Sequence, residues 1–188
     1  PHRIDDIENL LSTNEIVLIR TQNVGILKKD ECLNASITGP VLRASGVDWD
    51  LRHKNPYDYY DQISFSRPLG EIGDNHDRFL VRIFEMRESL KILRQCIQNI
   101  QPGLVRPKEV PFLVRPPKGD SYVPIESPKG ELGFYLVSDG GVSPFRCHVR
   151  APSLINLTLL REMVLGDKIA DLFVTFGSLD VNMGEVDR

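Results

Sequence analysis

Between Asp74 and Ile100 the sequence carries an apolar pattern at helical spacing, and no other stretch constrains the fold as strongly. Phe79, Leu80, Ile83, Phe84, Leu90, Leu93, Ile97 and Ile100 recur mostly at three- and four-residue steps, which gathers them on one side of a long helix. Asp77 near the start suits the positive end of the helix dipole, and Pro102-Gly103 stops the pattern. Arg78, Arg82, Glu85, Arg87, Glu88, Lys91 and Arg94 fill the remaining positions, which reads as a solvated or subunit-facing side. A helix of this length must bury its apolar side, so the other segments are read for what can pack against it.

Asp5 to Leu11 reads as a short helix with Ile4, Ile7, Leu10 and Leu11 on one face. Glu15 to Arg20 either continues it or forms a brief extended piece. Lys29 to Ser36 reads as a further short helix, and Thr38-Gly39-Pro40 breaks the pattern, leaving Val41 to Asp50 as loop. Tyr122 to Glu126, Leu132 to Ser138 and Phe145 to Arg150 alternate like strands. Pro128-Lys129-Gly130-Glu131 and Asp139-Gly140-Gly141 supply turns between them, so a small antiparallel meander is expected. Leu154 to Leu165 suits a helix ended by Gly166. Lys168 to Phe176 suits a buried one, because Ile169, Ala170, Leu172, Phe173, Val174 and Phe176 leave little polar face. The expected fold class is therefore α+β, a mainly helical core with a small antiparallel sheet. It forms one domain over 1–188, with 102–121 an extended Pro-rich connector.

Several function classes fall away on composition. With a net charge of −3 the chain lacks the basic surface that phosphate neutralisation needs, so no nucleic acid is expected as partner. No apolar run approaches the roughly 18 residues of a membrane span. Cys32, Cys96 and Cys147 are far apart with no Cys-x-x-Cys spacing, which argues against an iron–sulfur or zinc site within the chain. Cys147 and His148 are adjacent on a strand and point to opposite faces. His2, His53, His76 and His148 are dispersed. The stretch from Gly39 to Arg52 gathers two arginines, two aspartates and the sole tryptophan. It reads either as a segment whose charges pair internally, which is favoured, or as an anion cradle. Tyr57, Tyr59 and Tyr60 follow as packing residues with hydrogen-bonding tips. The chain begins Pro1-His2-Arg3 without an initiator Met, as a processed chain or a piece of a longer one would.

Five ordered blocks carry a family resemblance. They are Arg3-Ile4-Asp5 with Leu10-Leu11, then Leu42-Arg43-Ala44-Ser45-Gly46-Val47-Asp48-Trp49-Asp50-Leu51-Arg52. Pro56-Tyr57 through Asp61 comes next, with Gly73-Asp74 and Arg78 through Met86. The fourth is Glu126-Ser127-Pro128-Lys129-Gly130-Glu131-Leu132-Gly133 with Leu136 through Gly140. The last is Arg150-Ala151-Pro152-Ser153 with the terminal Gly184-Glu185-Val186-Asp187-Arg188. Together they resemble the C-terminal half of the 49-kilodalton, quinone-site subunit of respiratory complex I, a relative of the nickel–iron hydrogenase large subunit. In those hydrogenases the C-terminal segment reads Asp-Pro-Cys-x-x-Cys and both cysteines bind metal. Counted from Asp180, the cysteine places fall on Asn182 and Glu185. The resemblance therefore implies a hydrogenase-like fold without the metal.

The same resemblance implies a core part of an NADH:ubiquinone oxidoreductase that is not catalytic alone. Ubiquinone would be the substrate, and this chain would bind no cofactor. Iron–sulfur clusters and NADH/FMN would sit in partner subunits. The N-terminal half of the subunit, on another chain or on the longer protein of which this is a fragment, would complete the fold. The iron–sulfur subunit of the quinone module and the membrane-arm subunits would be neighbours. Asp180 and Asn182 match positions at the quinone cavity, Lys129 matches a lysine leading from it toward the membrane arm, and Glu131 and Asp139 are further proton-coupling candidates. Burial of Lys129 would disfavour its charged form and suit it to proton transfer. Asp187 and Arg188 would tie the terminus to the core. The Pro144-Phe145-Arg146-Cys147 wording resembles mitochondrial and proteobacterial forms. It points to the matrix side of the mitochondrial inner membrane ahead of a bacterial cytoplasmic membrane. A purely structural half-subunit and a metal-bearing hydrogenase are the alternatives.

Overall fold

The computed structural model describes residues 2–107, 109 and 111–187. The helices are α1 (His2–Ser12), α2 (Glu15–Thr21), α3 (Lys29–Asn34), α4 (Gly39–Ala44), α5 (Leu51–Lys54), α6 (Asn75–Asn99), α7 (Pro152–Leu157), α8 (Leu160–Val164), α9 (Ile169–Leu179) and α10 (Met183–Val186). Strands β1 (Gly119–Ser127), β2 (Gly130–Ser138) and β3 (Arg146–Arg150) form one antiparallel sheet in the order β1-β2-β3. The fold is thus mixed α and β, mainly helical with a small meander, as expected. Arg188 lies outside the described residues, while Asp187 ends α10.

The long helix forms where its pattern placed it. Asp74 caps it by accepting the Asp77 amide at 2.8 Å. Asp77 does more than complement the dipole, because one of its oxygens accepts the amides of Glu71, Ile72 and Gly73 at 3.0, 2.7 and 3.0 Å. The expected division of its faces is overturned. Arg78, read as solvated, is fully buried, whereas Phe84, Leu93 and Ile97 are exposed. The buried guanidinium is tolerated because it donates to Ser178 Oγ, Gly73 O, Gly25 O and Asn75 Oδ1, at 2.6–2.9 Å. All four acceptors are neutral, and burial pushes the Arg78 pKa down to about 10.

Three further expectations are corrected. Val41 to Asp50 is not all loop, since α4 covers Gly39–Ala44. Gly39 turns the chain at φ +75°, and Pro40 sits in the first helical turn, where a missing N–H costs nothing. The helix expected over Leu154–Leu165 is divided into α7 and α8 at Thr158-Leu159. The apolar helix near the C-terminus exists as α9 but is buried on one side only. Asp171, Thr175 and Leu179 face inward, and Ile169 and Phe173 are exposed.

The principal core gathers Leu27, Cys32, Ile37, Val41, Leu42, Met163 and Leu179. Each such aliphatic side chain contributes about 1.5–3 kcal/mol on burial. The core thereby clamps α4 and the end of α9 together. The sheet docks through a close backbone approach. A Cβ on Gly39 would lie 2.4 Å from Gly130 Cα, so only glycine lets the start of α4 touch the β1–β2 hairpin. Ser127 pairs with Gly130, leaving Pro128-Lys129 as a two-residue turn held against the helices.

Candidate functional site

That turn, the middle of α6, the end of α4 and the end of α9 surround an open cleft of about 510 Å³. Arg43, Arg52, Arg82, Glu85, Glu126 and Asp180 line it, with Tyr60 and Met86 among the less polar residues. Arg43 lies at its inner wall with only 2% of its side chain exposed. Its Nε donates to Glu85 Oε1 at 2.6 Å, and its Nη1 donates to Glu126 Oε1 at 2.9 Å and to the Trp49 carbonyl at 3.0 Å. Asp50 stands 3.8 Å from the same guanidinium and receives both ends of Arg52 at 3.0 and 2.7 Å. The internal pairing read from the Gly39–Arg52 stretch is therefore present, and Glu85 and Glu126 complete it from distant segments.

Burial and pairing pull these groups in different directions. Burial opposes the charge on Arg43, but Glu85 and Glu126 outweigh it and raise its pKa above the ordinary arginine value. Burial likewise opposes ionisation of Asp50, yet the hydrogen bonds and charge of Arg52 hold its carboxyl below the usual range. Glu126 goes the other way. Its burial outweighs the attraction of Arg43, and the nearby Asp50 charge adds to the effect, so its pKa is raised. Burial thus favours the protonated form of Glu126, the opposite of what pairing does at Asp50.

Asp180 closes α9 in the left-handed conformation, at φ 54° and ψ 52°. An aspartate there costs on the order of 1 kcal/mol relative to glycine, so the side chain must be held by other contacts. Lys129 from the hairpin turn forms a hydrogen-bonded ion pair with Asp180 Oδ2. Arg82 from α6 places Nε 3.7 Å from the same oxygen and donates through Nη2 to the Leu179 carbonyl at 3.3 Å. The Arg82 Nε itself makes no hydrogen bond, and burial lowers the Arg82 pKa. Around Asp180, therefore, two cations converge on one carboxylate, which remains partly open to the cleft.

Of the sequence-derived site residues, Asp180 and Lys129 are brought together across 51 positions of chain. Asn182 bonds to neighbouring backbone and to Ser153. Its side chain caps α10 by accepting the Gly184 amide at 3.1 Å, and its own amide donates to Ser153 Oγ at 3.1 Å. Glu131 accepts from the Tyr122 hydroxyl at 2.9 Å and lies 3.9 Å from Arg150. Asp139 follows the far end of β2, where it accepts the Gly141 amide at 2.8 Å. The strand from Gly130 to Ser138 holds it roughly 27 Å or more from the hairpin turn. Sequence reasoning missed Arg82, Glu85 and Glu126 as members of the cleft. The i, i+3 spacing of Arg82 and Glu85 on α6 put them on one face, but that signal is shared by any solvated helix.

The donor set suits anionic and polar ligands and proton exchange. Among the described residues no group of three His, Cys, Asp or Glu side chains is placed to hold a metal ion. None of the described helices is long and apolar enough to cross a membrane.

Residues 1–116 and 110–188 match the family described as "Respiratory-chain NADH dehydrogenase, 49 Kd subunit". The chain is 54% identical to the D subunit of the NADH-quinone oxidoreductase of Dehalococcoides mccartyi over 188 residues, covering 100% of this chain and 51% of the relative. It is 52% identical to a D subunit of the same oxidoreductase from Roseiflexus sp., covering 100% of this chain and 52% of the relative. With the corresponding D subunit of Geotalea uraniireducens it shares 42% identity over 213 aligned positions, 100% of this chain and 54% of the relative. The chain spans about half the length of the curated relatives it matches. It belongs to the 49-kilodalton subunit family of respiratory-chain NADH dehydrogenases.

Proposed function

We propose that this chain forms one wall of the quinone-reducing site in an NADH-quinone oxidoreductase, and that the ionic groups of its cleft couple quinone reduction to proton translocation. Reducing a quinone to a quinol takes two electrons and two protons. The electrons come from an iron–sulfur partner, as the family resemblance implies. FMN and NADH are likewise placed in partner subunits. Asp180 lines the cleft with Lys129 paired to it, and a proton passed to the quinone from there is replaced through the carboxylates Glu85 and Glu126, which Arg43 holds in place. Asn182 shapes the end of the cavity by fixing α10. Glu131 and Asp139 stand apart from this cluster and are secondary candidates for proton coupling.

The observation that carries this reading is the strained Asp180, held by Lys129 and Arg82 at the edge of a polar cleft. Strain of this kind persists where surrounding groups over-determine it, and it concentrates at functional sites. The other half of the subunit, the iron–sulfur subunit and the membrane-arm subunits would be the partners. The relatives named above are bacterial, which favours the inner face of a bacterial cytoplasmic membrane over the mitochondrial location.

A second reading, that the chain is a structural half-subunit, is favoured by the mutual pairing of Arg43, Glu85, Glu126, Asp50 and Arg52. Lys129→Met and Asp180→Ala in the assembled complex separate the two. The coupling reading expects quinone reductase activity to fall at least ~10-fold, about 1.4 kcal/mol in the barrier, with assembly intact. Normal turnover and pumping in assembled variants would leave only the structural role.

A further inference from the structure

Two cations compete for one carboxylate at the end of α9, and only one of them is satisfied. Lys129 Nζ donates to Asp180 Oδ2. Arg82 Nε stands 3.7 Å from the same oxygen, too far for a hydrogen bond. That Nε is buried without a hydrogen-bond partner, and a buried donor left unmade is both costly and rare. Among the described residues Asp180 is the one carboxylate within 4 Å of Arg82, and the nearby Glu85 is turned to Arg43 at 2.6 Å. The three groups differ in their freedom to move. Arg82 is fixed, because Nη1 donates to the Arg78 carbonyl at 3.0 Å and Nη2 to the Leu179 carbonyl at 3.3 Å. The Asp180 backbone is fixed too, its amide donating to the Gly177 carbonyl at 3.1 Å. The Asp180 carboxylate is not, since its side chain is 48% exposed at the edge of the cleft. A turn of that side chain that shifts Oδ2 by about 0.8 Å completes the bond to Nε. Lys129 is pinned at its backbone, where its carbonyl accepts Asn156 Nδ2 at 3.5 Å and abuts Gly39. Its flexible stem leaves the ammonium free to part from Asp180.

We propose that Arg82 is a positioning residue, a second seat to which Asp180 turns when Lys129 swings its ammonium onto a carbonyl or oxyanion oxygen of a ligand in the cleft. The exchange keeps the Asp180 charge paired throughout, so Lys129 is released without leaving a bare carboxylate behind. It also satisfies the one Arg82 donor that the ligand-free arrangement leaves unmade. The class of ligand rests on the quinone reading, whereas the exchange of Asp180 between Lys129 and Arg82 rests on the geometry alone.

The test is an electron cryomicroscopy structure of the assembled oxidoreductase carrying Lys129→Met, without added quinone. The expected result is an Asp180 carboxylate turned to Arg82, with an oxygen within about 3.2 Å of Nε. A carboxylate turned to solvent, or one that keeps its distance of 3.7 Å from Nε, would overturn the assignment. Arg82→Gln is the companion variant, read by steady-state kinetics with decylubiquinone. Without the second seat Asp180 retains Lys129, so KM for the quinone rises at least ~5-fold while kcat changes less than about twofold. An unchanged KM, or a loss confined to kcat, would overturn the assignment as well. Each variant decides by itself should the other fail to assemble. An unmoved Asp180 in a complex that still reduces quinone sinks the exchange and leaves the quinone reading standing. A relocated Asp180 in a complex that takes no quinone does the reverse.

Discussion

Replacing Arg43 with Met should expose how the cleft is held together. The guanidinium, 2% exposed, satisfies Glu85 and Glu126 directly and lies 3.8 Å from Asp50. Met fills much of the volume but leaves the Glu126 carboxylate, 4% exposed, without its cation. Breaking a buried pair from one side costs about 3–5 kcal/mol, a large share of the roughly 5–15 kcal/mol that stabilises a domain. The cost depends on pH, with a definite sign. The Glu126 pKa is already raised by burial, so the folded state binds its proton more tightly than the unfolded state. Stability linked to such a group is fully present below the unfolded glutamate pKa, about 4.3, and is lost as pH rises through the folded value. Removing Arg43 moves the folded value further up. The destabilisation of Arg43→Met should therefore be largest near pH 8 and shrink toward pH 5. Adding Glu126→Gln should recover part of the loss, because the two changes are coupled. Urea unfolding of both single variants and the double variant at both pH values, in the unchanged subunit context, gives every stability change the comparison needs. A loss under ~1 kcal/mol for Arg43→Met, a loss independent of pH, or strict additivity with Glu126→Gln would refute the reasoning.

Gly39→Ala should cost about 2 kcal/mol or more, read as a fall in the thermal midpoint, because φ +75° disfavours a side chain and the new Cβ would sit 2.4 Å from Gly130 Cα. Thiol labelling under native conditions should modify exposed Cys147 quickly. It should spare Cys32, which is fully buried and whose pKa burial raises, until the chain is unfolded. Arg67→Gln should change stability by less than ~1 kcal/mol by the same urea assay, since its partner Asp48 is half exposed and the pair is screened by solvent.

The long helix, the meander and the two-residue turn carrying Lys129 were legible because apolar period and turn chemistry act locally. The α4 segment was not, since Gly39-Pro40 reads as a stop when only the preceding residues are considered. The burial of Arg78 was invisible for another reason. Its acceptors Gly25, Gly73, Asn75 and Ser178 come from three separate stretches, and no periodicity reports long-range hydrogen bonding. The same holds for the site. Asp180 and Lys129 were singled out by family resemblance, whereas Arg82, Glu85 and Glu126 join them only through tertiary packing. The apolar composition of α9 signals a buried helix, yet the chain encloses only its inner face.

The most direct test of the proposed quinone wall is photolabelling of the assembled oxidoreductase with an azido-quinone, followed by peptide mapping of this chain. Label concentrated on the peptides containing Lys129 and Asp180, and displaced by excess quinone, is the predicted result. Displaceable label confined to other chains, with none on these two peptides, would contradict it.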